Sequence, residues 1–408
     1  MGERGLFSGK VGFILAAAGS AIGLGNIWRF PHLVEQYGGG IFVLTYLLLV
    51  VIFGIVIMIT EAAIGRATGS SPIKAFSKIN EKYRHIGYYI ALLPVLIISY
   101  YCVIGGWVVK YSTVYLTNNA QEVTTQGYFE EFISSPIEPL VWTIIFVVLT
   151  AGIVWFGVQK GIERSNKIMM PLLFLMLIGL IVYCACAHGG AWLDGVWSHY
   201  LKPDFSKLSL EMIFVAMGQV LFSLSLGMGL MIVYGSYAKK EVDLEKSIFW
   251  ITFFDTFIAI MAGLIIVPIT HISELPIDAE LSEGKGLLFQ TLPKIFAEMP
   301  GGSIFAIIFF ILVVFAAITS SICFYEAIVA AICDKYAISR KISMGIAFLI
   351  TILLAIPISL QFGLLKEYTI GNHTPFYYID FITTNIGLPV CALLICLFVG
   401  WVIKPDFV

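Results

Sequence analysis

Three groups of residues could do chemistry in an otherwise apolar chain. Asp255 sits in Phe253-Phe254-Asp255-Thr256-Phe257. A carboxylate in such a run costs several kcal/mol by rough estimate if it lies in a membrane, which makes it a functional feature by default. A protonated side chain or a helix end would also account for it. The second group is a pair of small-residue clusters, Gly19-Ser20-Ala21-Ile22-Gly23-Leu24-Gly25-Asn26 and Phe222-Ser223-Leu224-Ser225-Leu226-Gly227-Met228-Gly229. Glycine is a poor helix former, so both stretches can unwind. Unwinding frees carbonyl oxygens, which suit a hard cation, and N–H groups, which suit a carboxylate. Close packing of helices through small residues is the alternative use of such clusters. The third group is Thr319 and Ser320, adjacent hydroxyls on a long apolar stretch. A buried hydroxyl needs a partner, either a ligand or a carbonyl of its own helix. The implied chemistry is coordination rather than bond making. An intramembrane enzyme would need a nucleophile–base pair or metal ligands, but there is no His-Glu-x-x-His, and His32, His85, His188, His199, His271 and His373 fall mostly at helix ends or in loops.

The elements that must position these groups are membrane helices. The 408 residues are 59% hydrophobic and only 12% charged, with a mean hydropathy of +0.94. A soluble surface cannot be made from that composition. Apolar runs near 11–36, 41–64, 86–116, 140–157, 166–187, 211–237, 247–270, 303–333, 342–360 and 376–402 each approach or exceed the roughly 20 residues a crossing needs. They lack strand alternation, and only helices satisfy their own backbone in lipid. The expectation is an all-α polytopic bundle of ten helices in a single domain over 1–408. The longest polar stretches, about 117–139, 188–210 and 271–301, read as outside loops.

Charge fixes the orientation. With a cytoplasmic N-terminus, inside segments hold 17 of the 24 Lys and Arg residues, outside loops hold five (Lys202, Lys207, Lys285, Lys294, Lys366), and Arg29 and Lys110 lie within helices. This asymmetry obeys the positive-inside rule. The net charge of −2 suggests no nucleic-acid partner. The seven cysteines lie in or beside apolar runs and read as small core residues. The two clusters lie near the middle of the first and sixth runs, five spans apart. Two halves of opposite topology follow, repeat one about 9–187 and repeat two about 210–404, with helices 1 and 6 broken at mid-membrane. Broken helices in corresponding positions point to a secondary transporter's binding site.

The run Gly19 to Pro31, GSAIGLGNIWRFP, closely resembles the first-helix signature of the neurotransmitter:sodium symporter family. The match continues at Gly38-Gly39-Gly40, Glu61, Arg66, Gly161-Ile162-Glu163-Arg164, Gly218-Gln219 through Gly229, and Thr319-Ser320-Ser321. It is most similar to the bacterial amino-acid branch, although members usually carry eleven or twelve helices. The resemblance implies symport of sodium with an amino acid into the cell across the plasma membrane by alternating access, with two sodium ions. The first ion would meet Ala21, Asn26, Ser223, Asp255 and the substrate carboxylate. The second would meet Gly19, Ile22, Ala316, Thr319 and Ser320. Leu24, Gly25 and Tyr101 would bind the carboxylate, with Ala21, Phe222 and Ser225 at the ammonium. Ile97, Tyr101, Phe222, Met228, Ser320 and Phe324 would form the side-chain pocket. That pocket lacks a counter-charge, which implies a neutral hydrophobic or aromatic L-amino acid. Monoamine members carry aspartate at the position of Gly23, and its absence agrees with an α-amino acid. Arg29 and Asp380 would gate the outside under a Phe222 lid, and Arg4 and Asp334 with Ser236 and Tyr237 the inside. Gly161 and Pro171 match a motif of local unwinding. Members usually have asparagine at Asp255, and chloride-dependent ones have serine at Ala259. Tyr46, Gln219 and Ser223 match the other chloride positions. Chloride independence is the expectation.

Overall fold

The computed structural model describes residues 5–117, 121–273, 286–369, 371 and 373–402. Among these residues there are helices and no strands. The helices are α1 (Lys10–Ala21), α2 (Gly25–Gln36), α3 (Gly40–Thr68), α4 (Glu81–Leu116), α5 (Glu138–Trp155), α6 (Val158–Leu201), α7 (Leu210–Ser223), α8 (Leu230–Ser236), α9 (Leu244–Ser273), α10 (Gly302–Tyr336), α11 (Arg340–Leu360) and α12 (Pro375–Trp401). Eight of them are long and apolar enough to cross a membrane, and α1 with α2 forms one further crossing bent by 54°. Taking α7 with α8 as the other broken span gives ten among the described residues, in the order expected.

Burial separates a core from a lipid-facing shell. The most apolar windows of α4, α9 and α10 are 78%, 67% and 72% buried, against 33% for α5 and α6 and 39% for α11 and α12. The shell exposes large apolar side chains such as Leu349, Leu353 and Leu393, which only lipid can cover. α1 packs against α6, α9 and α10, and α8 lies along α3. Small residues serve that last contact: a Cβ at Gly65 would lie 1.9 Å from the Ile232 carbonyl, and one at Gly235 would lie 2.3 Å from that of Ala62.

One expectation fails in the polar stretches. The stretch 188–210 is not simply a loop, since α6 continues to Leu201 with a kink at Gly189, where φ is +52°. Glycine alone adopts that conformation freely, so the first helical segment breaks there and a second one turns away and runs on to Leu201. Short helices also occupy the other two long polar stretches, Tyr128–Ser134 and Leu292–Glu298.

Candidate functional site

The two breaks lie against each other at the centre of the bundle. In the first, the Gly23 N–H would continue the helical ladder to the Gly19 carbonyl. It donates instead to Asn26 Oδ1 at 2.9 Å. In the second, Ser225 and Gly227 have φ of +56° and +78°. For serine that conformation is strained and persists only where the surroundings hold it. Glu61, fully buried on α3, accepts the Gly227 N–H at 2.7 Å. The freed carbonyls of the first break find hydroxyls on other helices. Ser225 and Ser320 donate to the Ser20 carbonyl at 3.3 and 3.1 Å, and Thr319 and Ser320 to that of Ile22 at 3.2 and 3.1 Å. Thr319 Oγ1 also lies 3.0 Å from the Phe315 and Ala316 carbonyls of its own helix, which share its one proton with the Ile22 carbonyl.

Asp255 is fully buried on α9 and faces the breaks. Asn26 Nδ2 donates to its Oδ1 at 2.7 Å and to its backbone oxygen at 3.1 Å, and Ser223 Oγ donates to Oδ2 at 2.9 Å. The Tyr46 hydroxyl reaches Ser223 Oγ at 3.4 Å, and Gln219 Nε2 donates to the Gly25 carbonyl at 3.0 Å. This gathers oxygens suited to a hard cation around one buried carboxylate. Asn26, however, turns its NH2 to the cluster, while its oxygen serves Gly23. A cation here requires the amide to turn over.

A cavity of about 240 Å³ adjoins this cluster and is bounded by Ala21, Leu24, Gly25, Tyr101, Phe222, Ser223, Ser225, Ser320 and Phe324, with Ser20 and Gly23. Ile97 and Met228 are fully buried but are not among the residues that line it. The Leu24 N–H donates to the Tyr101 hydroxyl at 3.3 Å, so the two groups expected to hold a carboxylate meet each other. The Tyr101 ring packs on Phe324 with centroids 5.4 Å apart. Gly23 has no room for a side chain, because a Cβ would lie 2.3 Å from Ser320 Oγ and 3.0 Å from the Tyr101 hydroxyl.

Above Phe222 a second cavity, about 410 Å³, is lined by Arg29 and Asp380 among others. The Arg29 guanidinium lies 5.1 Å from the centre of the Phe222 ring, and no Arg29–Asp380 ion pair is present among the described residues. At the end of the bundle expected to face the cytoplasm, Arg4 lies outside the described residues. Asp334 accepts the Ser71 N–H at 2.7 Å. Ser236 Oγ donates to the Val233 carbonyl at 2.6 Å, and the Tyr237 hydroxyl to Glu326 at 2.6 Å. Glu326, fully buried on α10, takes both Arg340 Nη groups at 2.8 and 2.5 Å. Sequence reasoning missed Glu326, although it carries the same signal as Asp255: a carboxylate inside an apolar helix.

The sequence matches the description "Sodium:neurotransmitter symporter family" over residues 4–133 and 131–407. An uncharacterized sodium-dependent transporter of Haemophilus influenzae is 35% identical over 99% of this chain and 90% of its own length. The uncharacterized sodium-dependent transporter YhdH of Bacillus subtilis is 35% identical over 96% of this chain and 87% of its own. The crystal structure of MhsT in complex with L-phenylalanine superposes with a TM-score of 0.90 at 38% identity, covering 99% of this chain and 92% of that one.

Proposed function

Because this chain belongs to the sodium:neurotransmitter symporter family, we propose that it carries a neutral hydrophobic or aromatic L-amino acid into the cell with sodium, without needing chloride. Sodium-coupled transport by a multi-pass membrane protein follows from the family, whose members are transporters and not enzymes. The amino acid, the ions and their sites are our reading.

One observation carries it. The carboxylate of Asp255 and the hydroxyl of Ser223 stand at the junction of both breaks, beside an uncharged aromatic cavity. In this reading the first sodium lies among Ala21, Asn26, Ser223, Asp255 and the substrate carboxylate. Sodium and substrate then hold each other in place, which couples them. The carboxylate accepts from Leu24, Gly25 and Tyr101, replacing the Leu24–Tyr101 contact. The ammonium faces Ala21, Phe222 and Ser225, and the apolar side chain lies against Phe324. The second sodium takes the carbonyls of Gly19, Ile22 and Ala316 with the hydroxyls of Thr319 and Ser320. The relative solved with L-phenylalanine supports an aromatic substrate.

Alternating access uses two inverted repeats, about 9–187 and 210–404. Outside, Arg29, Asp380 and Phe222 close the path, and inside, Arg4, Asp334 and Tyr237 do. The reading places the protein in the plasma membrane with its N-terminus in the cytoplasm, as the positive-inside count indicates. The test is uptake of labelled L-phenylalanine and L-leucine into proteoliposomes under an inward sodium gradient. Accumulation in sodium but not in potassium supports symport. Binding without accumulation marks a sensor, and equilibration without uphill uptake marks a channel.

A further inference from the structure

A third cavity, about 480 Å³, lies between two of the long polar stretches and shares no lining residue with the two cavities already described. One wall is the turn and the start of the short helix that follow Val123, and the other is the helical run 287–298. Each wall contributes one charge, Glu130 on the first and Lys294 on the second. Both side chains are exposed, and neither has an ion-pair partner among the described residues. A cation and an anion therefore line one cavity without pairing with each other. Gln290 Nε2 donates to Glu130 Oε1, while Gln290 Oε1 has no hydrogen-bond partner among the described residues. Buried acceptors almost always have one.

The floor of this cavity is aromatic. Phe129 and Phe289 are buried and stack with centroids 5.1 Å apart and planes 13° apart. The Tyr111 hydroxyl donates to the Phe289 carbonyl at 3.0 Å, which ties the floor to α4. Phe289 also meets Trp28 edge-on, with centroids 6.3 Å apart, and Trp28 lines the cavity above Phe222. A single layer of rings thus separates this cavity from the path to the central one.

Charge decides what fits. A simple anion is drawn to Lys294 and repelled by Glu130, and a simple cation meets the reverse. A zwitterion answers both charges at once. Its carboxylate would take Lys294, its ammonium would take Glu130 and the free oxygen of Gln290, and an apolar side chain would lie on the ring floor. Lys294 repels sodium, so binding here needs none. We propose that this cavity is a loading site for a zwitterionic amino acid, held between Lys294 and Glu130 without sodium. The identity of the ligand rests on the reading of the transported substrate given above.

The experiment titrates labelled L-phenylalanine into the millimolar range on the purified full chain, in sodium and in potassium. In the symport reading potassium silences the central site and leaves this one. The expected result is a saturable component in potassium, displaced by unlabelled L-phenylalanine and about tenfold less well by phenethylamine or phenylpropionate, each of which lacks one of the two charges. Lys294→Ala and Glu130→Gln should each weaken this component about tenfold, the loss of one contact to a charged group. Lys294→Glu combined with Glu130→Lys should recover most of the affinity, because a zwitterion can turn end for end. Sodium-dependent binding, measured alongside, shows that each variant is folded. Absence of saturable binding in potassium overturns the proposal. So do single variants within twofold of the parent, or equal displacement by the two analogues that carry one charge. Binding in potassium with no sodium-dependent component supports the outer site and sinks the symport reading. A sodium-dependent component alone does the opposite.

Discussion

Asp255→Asn tests the ion chemistry most directly. The carboxylate is fully buried and its contacts are uncharged side chains, Asn26 at 2.7 Å, Ser223 at 2.9 Å and the Tyr46 hydroxyl. A cation entering the cluster would meet one full negative charge. At an effective dielectric of 20, unit charges 4 Å apart attract by about 4 kcal/mol. The amide keeps one oxygen as a ligand, so part of the binding survives, and the expected loss is about 2–3 kcal/mol. Half-saturating sodium should therefore rise by roughly 30- to 150-fold. The same charge explains the expected chloride independence. In the proposed reading, two sodium ions with a zwitterionic substrate leave positive charge to be balanced in a low dielectric, and Asp255 supplies one negative charge where chloride-dependent relatives would take an anion from solution. Ala259, buried one turn further on α9, offers an anion no hydroxyl. Replacing chloride with gluconate should leave uptake by the parent unchanged, while Asp255→Asn with Ala259→Ser should make uptake chloride-sensitive. Sodium titrations of substrate binding, with either anion, read both effects. A sodium midpoint within twofold of the parent in Asp255→Asn, or a strong chloride requirement in the parent, would refute this reasoning.

Tyr101→Phe removes the hydroxyl that meets Leu24 N–H. Substrate affinity by calorimetry should fall about tenfold to a hundredfold, from a contact to a charged group worth about 1.5–3 kcal/mol. At the Tyr237 end of the bundle, Arg340→Ala leaves buried Glu326 without its counter-charge and should destabilise by about 3–5 kcal/mol. Adding Glu326→Leu should recover much of that loss in thermal unfolding. Glu61→Gln keeps an acceptor for the Gly227 N–H and should bind substrate, whereas Glu61→Leu strands that donor and should cost about 1–3 kcal/mol of stability; equal unfolding of the two variants would show that the contact does not hold the second break.

The ten crossings and both breaks were legible because the background is so uniformly apolar. Against it, Asp255, the glycine clusters and the Thr319–Ser320 pair stand out as single residues. What stayed hidden depends on packing. Glu326 is as conspicuous in sequence as Asp255, but its meaning lies in Arg340, which reaches it from the next helix, and in Tyr237 from α8. The direction of the Asn26 amide could not be read either. Which end faces Asp255 is decided by contacts that exist only once three elements meet: the Gly23 N–H donates to its oxygen, and its NH2 donates to Ser223 and Asp255. Ile97 and Met228 share the apolar character expected of pocket residues, and only the packed arrangement places them behind the wall instead of on it.

The breaks also account for where the buried carboxylates are. An unwound helix in the core of a membrane protein leaves backbone groups without partners, and no water is there to serve them. A carboxylate on an intact neighbour is a strong acceptor that can hold such a segment in one shape. The first break receives Asp255 from α9, acting through Asn26, whose own oxygen takes the freed Gly23 N–H. The second receives Glu61 from α3, directly on the freed Gly227 N–H. Counting crossings, α3 is the second span and α9 the seventh, so in the two-repeat reading each break is held by a carboxylate from the second helix of the opposite repeat. The two are not equivalent in chemistry. Glu61 spends one oxygen on the backbone and lies away from the cavity. Asp255 spends its oxygens on side chains that can turn, Asn26 and Ser223, beside the cavity. A carboxylate that holds backbone fixes a shape, whereas one that holds movable side chains can exchange them for an ion. In the proposed reading that difference gives the sodium chemistry to the Asp255 side of the pair and a structural role to the Glu61 side.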